Sequence, residues 1–174
     1  MREFASLSAQ ETLHIAVFIE ERNAQIYMQF AELFDGFGDR DSLEIAEVFR
    51  EMAGEERRHG TMLQQRYFEL YGADVCPLTE DQISEFVEVP RLPDGQIFAI
   101  TRAGLGEPPR HKALEIALAA EHAAMRYYTQ LAGNATDPDL KDIYRELAEI
   151  EDGHADQLRR KMHEARAAAR AQNA

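Results

Sequence analysis

At 174 residues the chain has the length of one ordinary domain and can bury a sizeable core. With 45% hydrophobic and 29% charged residues it reads as globular rather than disordered. The formal charge of −13 argues against a nucleic-acid partner, and the single Cys76 excludes an internal disulfide or a Cys-x-x-Cys site. No window approaches the ~20 apolar residues of a membrane span. Residues 1–20 carry Arg2, Glu3, Glu11 and Glu20 and no signal-peptide core, so the expected address is the cytoplasm.

Four long segments show helical periodicity. The first covers residues 8–34, opened by the capping box Ser8-x-x-Glu11 and closed by Gly36 and Gly38. The second covers 42–71, with Asp41 as the expected N-cap and Gly72 as the stop. The third follows Pro108-Pro109 and runs to about residue 132, before Gly133-Asn134. The fourth starts at Asp137-Pro138 and runs toward residue 169. Within the stretch between the second and third, residues 79–87 are expected to form a short helix and 96–101 a short extended piece.

The short connections make two antiparallel hairpins, at 8–72 and 111–170. The long connection, 73–110, can then cross the full length of a bundle and leave the second and third helices parallel. The chain is thus expected to be a single all-α domain, a four-helix bundle of two antiparallel helix hairpins joined by a long crossover. Its last turns are basic, with Arg159, Arg160, Lys161, Arg166 and Arg170, which complement a helix C-terminus.

Each apolar stripe carries one acid near its middle. The first helix reads Leu13, Val17, Glu20, Ala24, Tyr27, Ala31 and Phe34, a heptad seam with a carboxylate set in it. The second gives Ile45, Phe49, Met52, Glu56, His59, Leu63 and Leu70. The third gives Leu114, Leu118, Glu121, Met125, Tyr128 and Ala132, and the fourth Leu140, Tyr144, Leu147, Glu151, His154, Leu158 and Met162. Four carboxylates in one core repel one another unless something compensates them. Two divalent cations balance four glutamates when the histidines bind as neutral imidazoles. The i, i+3 spacing of Glu56/His59 and Glu151/His154 puts each pair on one helix face, able to serve one site. This ligand set is that of ferritin-like di-iron and di-manganese bundles.

The halves also repeat: Glu20-x6-Tyr27 precedes Glu56-x-x-His59, and Glu121-x6-Tyr128 precedes Glu151-x-x-His154. With Gly54-Glu55-Glu56-Arg57-Arg58-His59-Gly60 and Glu149-Ile150-Glu151-Asp152-Gly153-His154-Ala155, the sequence resembles a rubrerythrin-type member of the ferritin-like superfamily over residues 10–72 and 111–165. The resemblance implies that Glu20 and Glu121 each ligate one metal and that Glu56 and Glu151 bridge. It also makes Tyr27 and Tyr128 hydrogen-bond donors to ligand carboxylates. Each tyrosine lies two turns, about 10 Å, from the Glu of its own helix and must reach a ligand on a neighbouring one.

Two positions depart from the family pattern. An additional carboxylate is usual three residues after the third-helix Glu, where Ala124 stands here. A rubredoxin module needs four cysteines, so the resemblance implies an external electron donor. The expected function is a non-haem di-iron oxidoreductase that reacts with hydrogen peroxide or dioxygen. Its metal is expected to be Fe/Fe, with manganese an alternative, and its oligomer a homodimer. Ferritin-like iron oxidation and storage is the second reading, and a non-enzymatic helical scaffold the third.

Overall fold

The computed structural model describes residues 6–74, 78–87 and 110–172, with the side chains of all but 166 and 168–172. Among them are five helices and no strand: α1 (Ala9–Asp35), α2 (Arg40–Tyr71), α3 (Glu80–Ile83), α4 (Arg110–Asn134) and α5 (Pro138–Gln172). The helices pack into a bundle. No helix among the described residues is long and apolar enough to cross a membrane.

The helix ends are set by local chemistry. Ser8 and Glu11 form the expected capping box on α1, with Glu11 Oε2 accepting from the Ser8 amide at 2.8 Å. On α2 the N-cap is Asp39 rather than Asp41. Its two carboxylate oxygens accept from the amide and hydroxyl of Ser42 at 3.0 and 2.6 Å. A tertiary contact favours the earlier start, because the Arg110 guanidinium at the head of α4 donates to both Asp39 and Ser42. Gly72 closes α2 at φ 62°, a left-handed conformation for which glycine is suited, and its amide bonds the carbonyl of Phe68. Asp137 caps α5, accepting from the amides of Asp139 and Leu140 at 2.9 and 3.1 Å.

Arg110 ties the N-termini of α2 and α4 to the same end of the bundle. At the opposite end Arg66 of α2 bonds Asp139 at the start of α5, at 3.1 Å. Helices α2 and α4 are therefore parallel, and the chain between them begins at one end and finishes at the other. Of that connection, α3 is shorter than expected and capped by Thr79. Its Ile83 and the following Val87 are buried against the bundle's own core. The expected extended piece at 96–101 and the apolar Ile97, Phe98 and Ile100 lie outside the described residues.

The core falls into two apolar clusters. One gathers the first half of α1 with Leu63, the second half of α4 and the first half of α5. The other gathers the second half of α1, the first half of α2, the first half of α4 and Leu158. Between them lies a polar layer: Glu20, Glu56, Glu121 and Glu151 are each 0% exposed. The buried stripe is wider than a heptad seam, since Ile15, Ile19, Ile26 and Phe30 are buried as well. Conversely, Val17, Leu118, Met125 and Met162 are half-buried, and Leu70 is exposed on the last turn of α2.

Candidate metal centre

The polar layer draws one acid from each long helix. Helix α1 supplies Glu20, α2 supplies Glu56 and His59, α4 supplies Glu121, and α5 supplies Glu151 and His154. Two overlapping groups bring one ligand atom per residue within 4.8 Å of one another: Glu20, Glu56, His59 and Glu151, and Glu56, Glu121, Glu151 and His154. Glu56 and Glu151 belong to both groups and occupy the middle. His59 Nδ1 lies 3.4 Å from Glu20 and 3.9 Å from Glu56. His154 Nδ1 lies 3.2 Å from Glu56, 3.5 Å from Glu151 and 3.7 Å from Glu121. The two imidazoles face each other across the centre with ring centroids 6.3 Å apart.

The tyrosines cross between helices. Tyr27 of α1 donates to Glu121 Oε1 on α4, and Tyr128 of α4 donates to Glu20 Oε1 on α1. Each hydroxyl occupies one oxygen of its carboxylate. What remains is an unusual set of buried atoms without hydrogen bonds: Oε2 of Glu20 and Glu121, both carboxylate oxygens of Glu56 and Glu151, and Nδ1 of His59 and His154. Buried polar atoms ordinarily find partners, and these eight converge on one place. Six oxygens and two imidazole nitrogens form a hard donor set suited to iron or manganese rather than copper. The residues present fit two divalent cations. The alternative acids point elsewhere: Glu21 is exposed and bonded by Gln64, and Glu115 pairs with His111 and Lys112 at the surface. Ala124, where a further carboxylate is usual, is buried in the apolar cluster and offers no ligand.

Electrostatics describe what the layer does without cations. Burial and the nearby Glu56 charge push Glu20 well above the usual carboxylate range, and burial with Glu56 and Glu121 does the same to Glu151. Burial acts on Glu56 in the same direction, but the facing His154 and His59 outweigh it and hold Glu56 down to about 2. Burial disfavours charge on His59 too, yet Glu20 and Glu56 raise it to about 9; Glu121, Glu151 and Glu56 raise His154 further. Burial, together with the charges of Glu121 and Glu20 respectively, raises Tyr27 and Tyr128, which stay neutral donors. The metal-free layer thus holds extra protons that a cation must displace.

A pH dependence follows. Groups raised on folding, such as His59, lend the metal-free protein stability that is complete below their unfolded pKa and lost as pH climbs through the folded one, here from 6.5 to about 9. Glu56 works oppositely, its contribution disappearing as pH falls from 4.5 toward about 2. Metal affinity rises over the upper window, because fewer protons compete. Melting curves with and without a chelator should separate progressively from pH 6.5 to 9; a constant or narrowing gap would contradict this electrostatic account.

One contact falls outside the sequence expectation. Glu55 Oε2 lies 2.8 Å from Nε2 of His154, the ring nitrogen turned away from the centre. The signal available was the acid doublet Glu55-Glu56, of which the off-seam member carried no periodic information. His122 is also partnered, its Nε2 lying 2.6 Å from Arg159 on α5.

Fold and polar layer together define a class, the ferritin-like helical bundle with a buried carboxylate and histidine cluster that could hold metal. The sequence profile of the rubrerythrin family matches residues 11–93 and 112–172, and the chain belongs to the rubrerythrin family. Comparison with curated proteins gives no significant match. Among solved structures, an uncharacterised conserved protein of Magnetospirillum magnetotacticum MS-1 superposes with a TM-score of 0.70 at 24% identity, over 91% of this chain and 95% of that one. A bacterioferritin-related dodecameric thioferritin of Bacteroides fragilis gives 0.69 at 18% identity, over 92% and 87%. A hypothetical protein of Pyrococcus furiosus gives 0.66 at 20%, over 92% of each chain. At these identities the likeness is one of fold.

Proposed function

We propose that the chain is a non-haem di-iron oxidoreductase that reacts with hydrogen peroxide or dioxygen and takes its electrons from an external donor. The observation that carries this reading is the set of eight buried, unpartnered ligand atoms converging between four helices. Two ferrous ions held there would supply two electrons, which with two protons reduce hydrogen peroxide to two waters.

The chain's own residues have distinct parts in this reading. Glu56 and Glu151, with both oxygens free and a place in both groups of donors, would serve both positions. Glu20 with His59 serves one position and Glu121 with His154 the other. Tyr27 and Tyr128 hold one oxygen of each terminal carboxylate, so that the other is presented inward. The apolar clusters above and below restrict water. Iron is the favoured metal, with manganese the alternative. The same proposal takes the chain as a single domain, hairpins 8–72 and 111–170 joined by the crossover 73–110, acting as a homodimer.

The test is metal analysis of the natively purified protein, then peroxide consumption with an artificial reductant. The expected result is close to two iron or manganese ions per chain and turnover that Glu56→Ala abolishes. Trace metal, with Glu56→Ala indistinguishable from wild type, would end the reading. The fold likeness to a dodecameric thioferritin favours iron oxidation and storage as a second reading. Light scattering separates the two, since a dimer excludes a storage shell and a closed particle of many subunits supports one.

A further inference from the structure

The duplicated Glu-x-x-His motif is not symmetric. Glu55 precedes Glu56 on α2, whereas Ile150 precedes Glu151 at the equivalent place on α5. The difference reaches the centre. Glu55 Oε2 sits 2.8 Å from His154 Nε2, and its other oxygen lies 3.4 Å from the Arg58 guanidinium. The His154 ring is thereby held at both nitrogens, Nε2 by Glu55 and Nδ1 facing Glu56, Glu121 and Glu151. Among the described residues His59 shows no equivalent contact. The acids it meets among the described residues, Glu20 and Glu56, both lie on its Nδ1 side, and an isoleucine cannot accept a proton. His59 is also the more open ring, 16% exposed against 7% for His154.

We propose that Glu55 is a positioning residue that makes the two metal positions unequal, so that the one served by His154 and Glu121 binds a divalent cation more tightly than the one served by His59 and Glu20. The inference rests on the two-metal reading of the centre. Its physical basis is the carboxylate–histidine–metal arrangement. A carboxylate accepting the Nε2 proton fixes the tautomer, leaves the lone pair on Nδ1, stops the ring from turning and increases its basicity as a ligand. Such outer partners are worth ~10–100-fold in metal affinity. Glu55 is itself partly exposed, 42% by side chain, so replacing it leaves the core intact.

The experiment is titration of the full-length metal-free protein with Co(II), followed by its visible absorption and by calorimetry. Wild type should bind two equivalents in two steps separated by ~10–100-fold, and Glu55→Gln should weaken the tighter step by that order and spare the weaker one. In a His154→Ala background Glu55→Gln should change nothing, whereas in a His59→Ala background its full effect should persist. Two equal steps in wild type overturn the inference, as does equal weakening of both steps or an undiminished effect in the His154→Ala background. Those outcomes leave the two-metal reading standing. Failure of wild type to bind Co(II) at all removes that reading and the inference with it.

Discussion

Stripping metal from the loaded protein with a chelator should lower its melting temperature by about 20 °C. Each cation bound at 100 to 1,000 times its dissociation constant stabilises the fold by about 3–4 kcal/mol, and a kcal/mol moves the midpoint of a chain this size by about 2–4 °C. The effect should be large because, without cations, only added protons and the two histidines compensate the layer. Six carboxylate oxygens and two imidazole nitrogens in it lack hydrogen bonds, and the acids that carry them are fully buried. Calorimetric scans of the loaded protein before and after chelation measure the difference directly. A midpoint indifferent to chelation would place the layer among self-sufficient polar networks and favour the scaffold reading.

Glu151→Gln should act with opposite signs in the two states. In the metal-free protein it should raise stability by about 1–3 kcal/mol, because it removes a carboxylate that burial, Glu56 and Glu121 all oppose. The gain should grow with pH, since glutamine cannot ionise. In the loaded protein the same change removes a ligand shared by both groups of potential donors. It should weaken metal binding by more than the ~100-fold upper range of outer partners. Chemical denaturation of both forms at pH 7 and pH 9 tests the reversal. A variant less stable than wild type in the metal-free state would show that Glu151 has a structural partner of its own.

Much of this was legible because the sequence breaks its own pattern in four places. An acid centred on an apolar stripe is so unfavourable that Glu20, Glu56, Glu121 and Glu151 call for a compensating group on sequence grounds alone. The family resemblance makes Tyr27 and Tyr128 donors to carboxylates, helix rise sends each to a neighbouring helix, and their bonds run to Glu121 and Glu20. What escaped is equally physical. Asp39 and Asp41 are comparable caps in isolation, and Arg110, 71 residues away, decides between them. Leu70 follows the period but is exposed on the last turn of α2, where Tyr67 and Tyr71 pack against the core instead. Glu55 acts sideways across an interhelical gap, for which a one-dimensional pattern holds no signal.

The division of the bundle into hairpins has a consequence for how the molecule assembles. Helices α1 and α2 lie against each other along their length, as do α4 and α5, whereas α1 and α4 approach at few points. Each hairpin closes over a short stretch of sequence and can form early; their docking joins distant segments and comes late. Glu20, Glu56 and His59 belong to one hairpin and Glu121, Glu151 and His154 to the other, so no cation has a complete site until docking is done. A contribution made only after the folding barrier slows unfolding and leaves the folding rate unchanged. Cations held at this centre would act as a latch closed on a finished structure, governing how long the fold persists rather than how quickly it is reached.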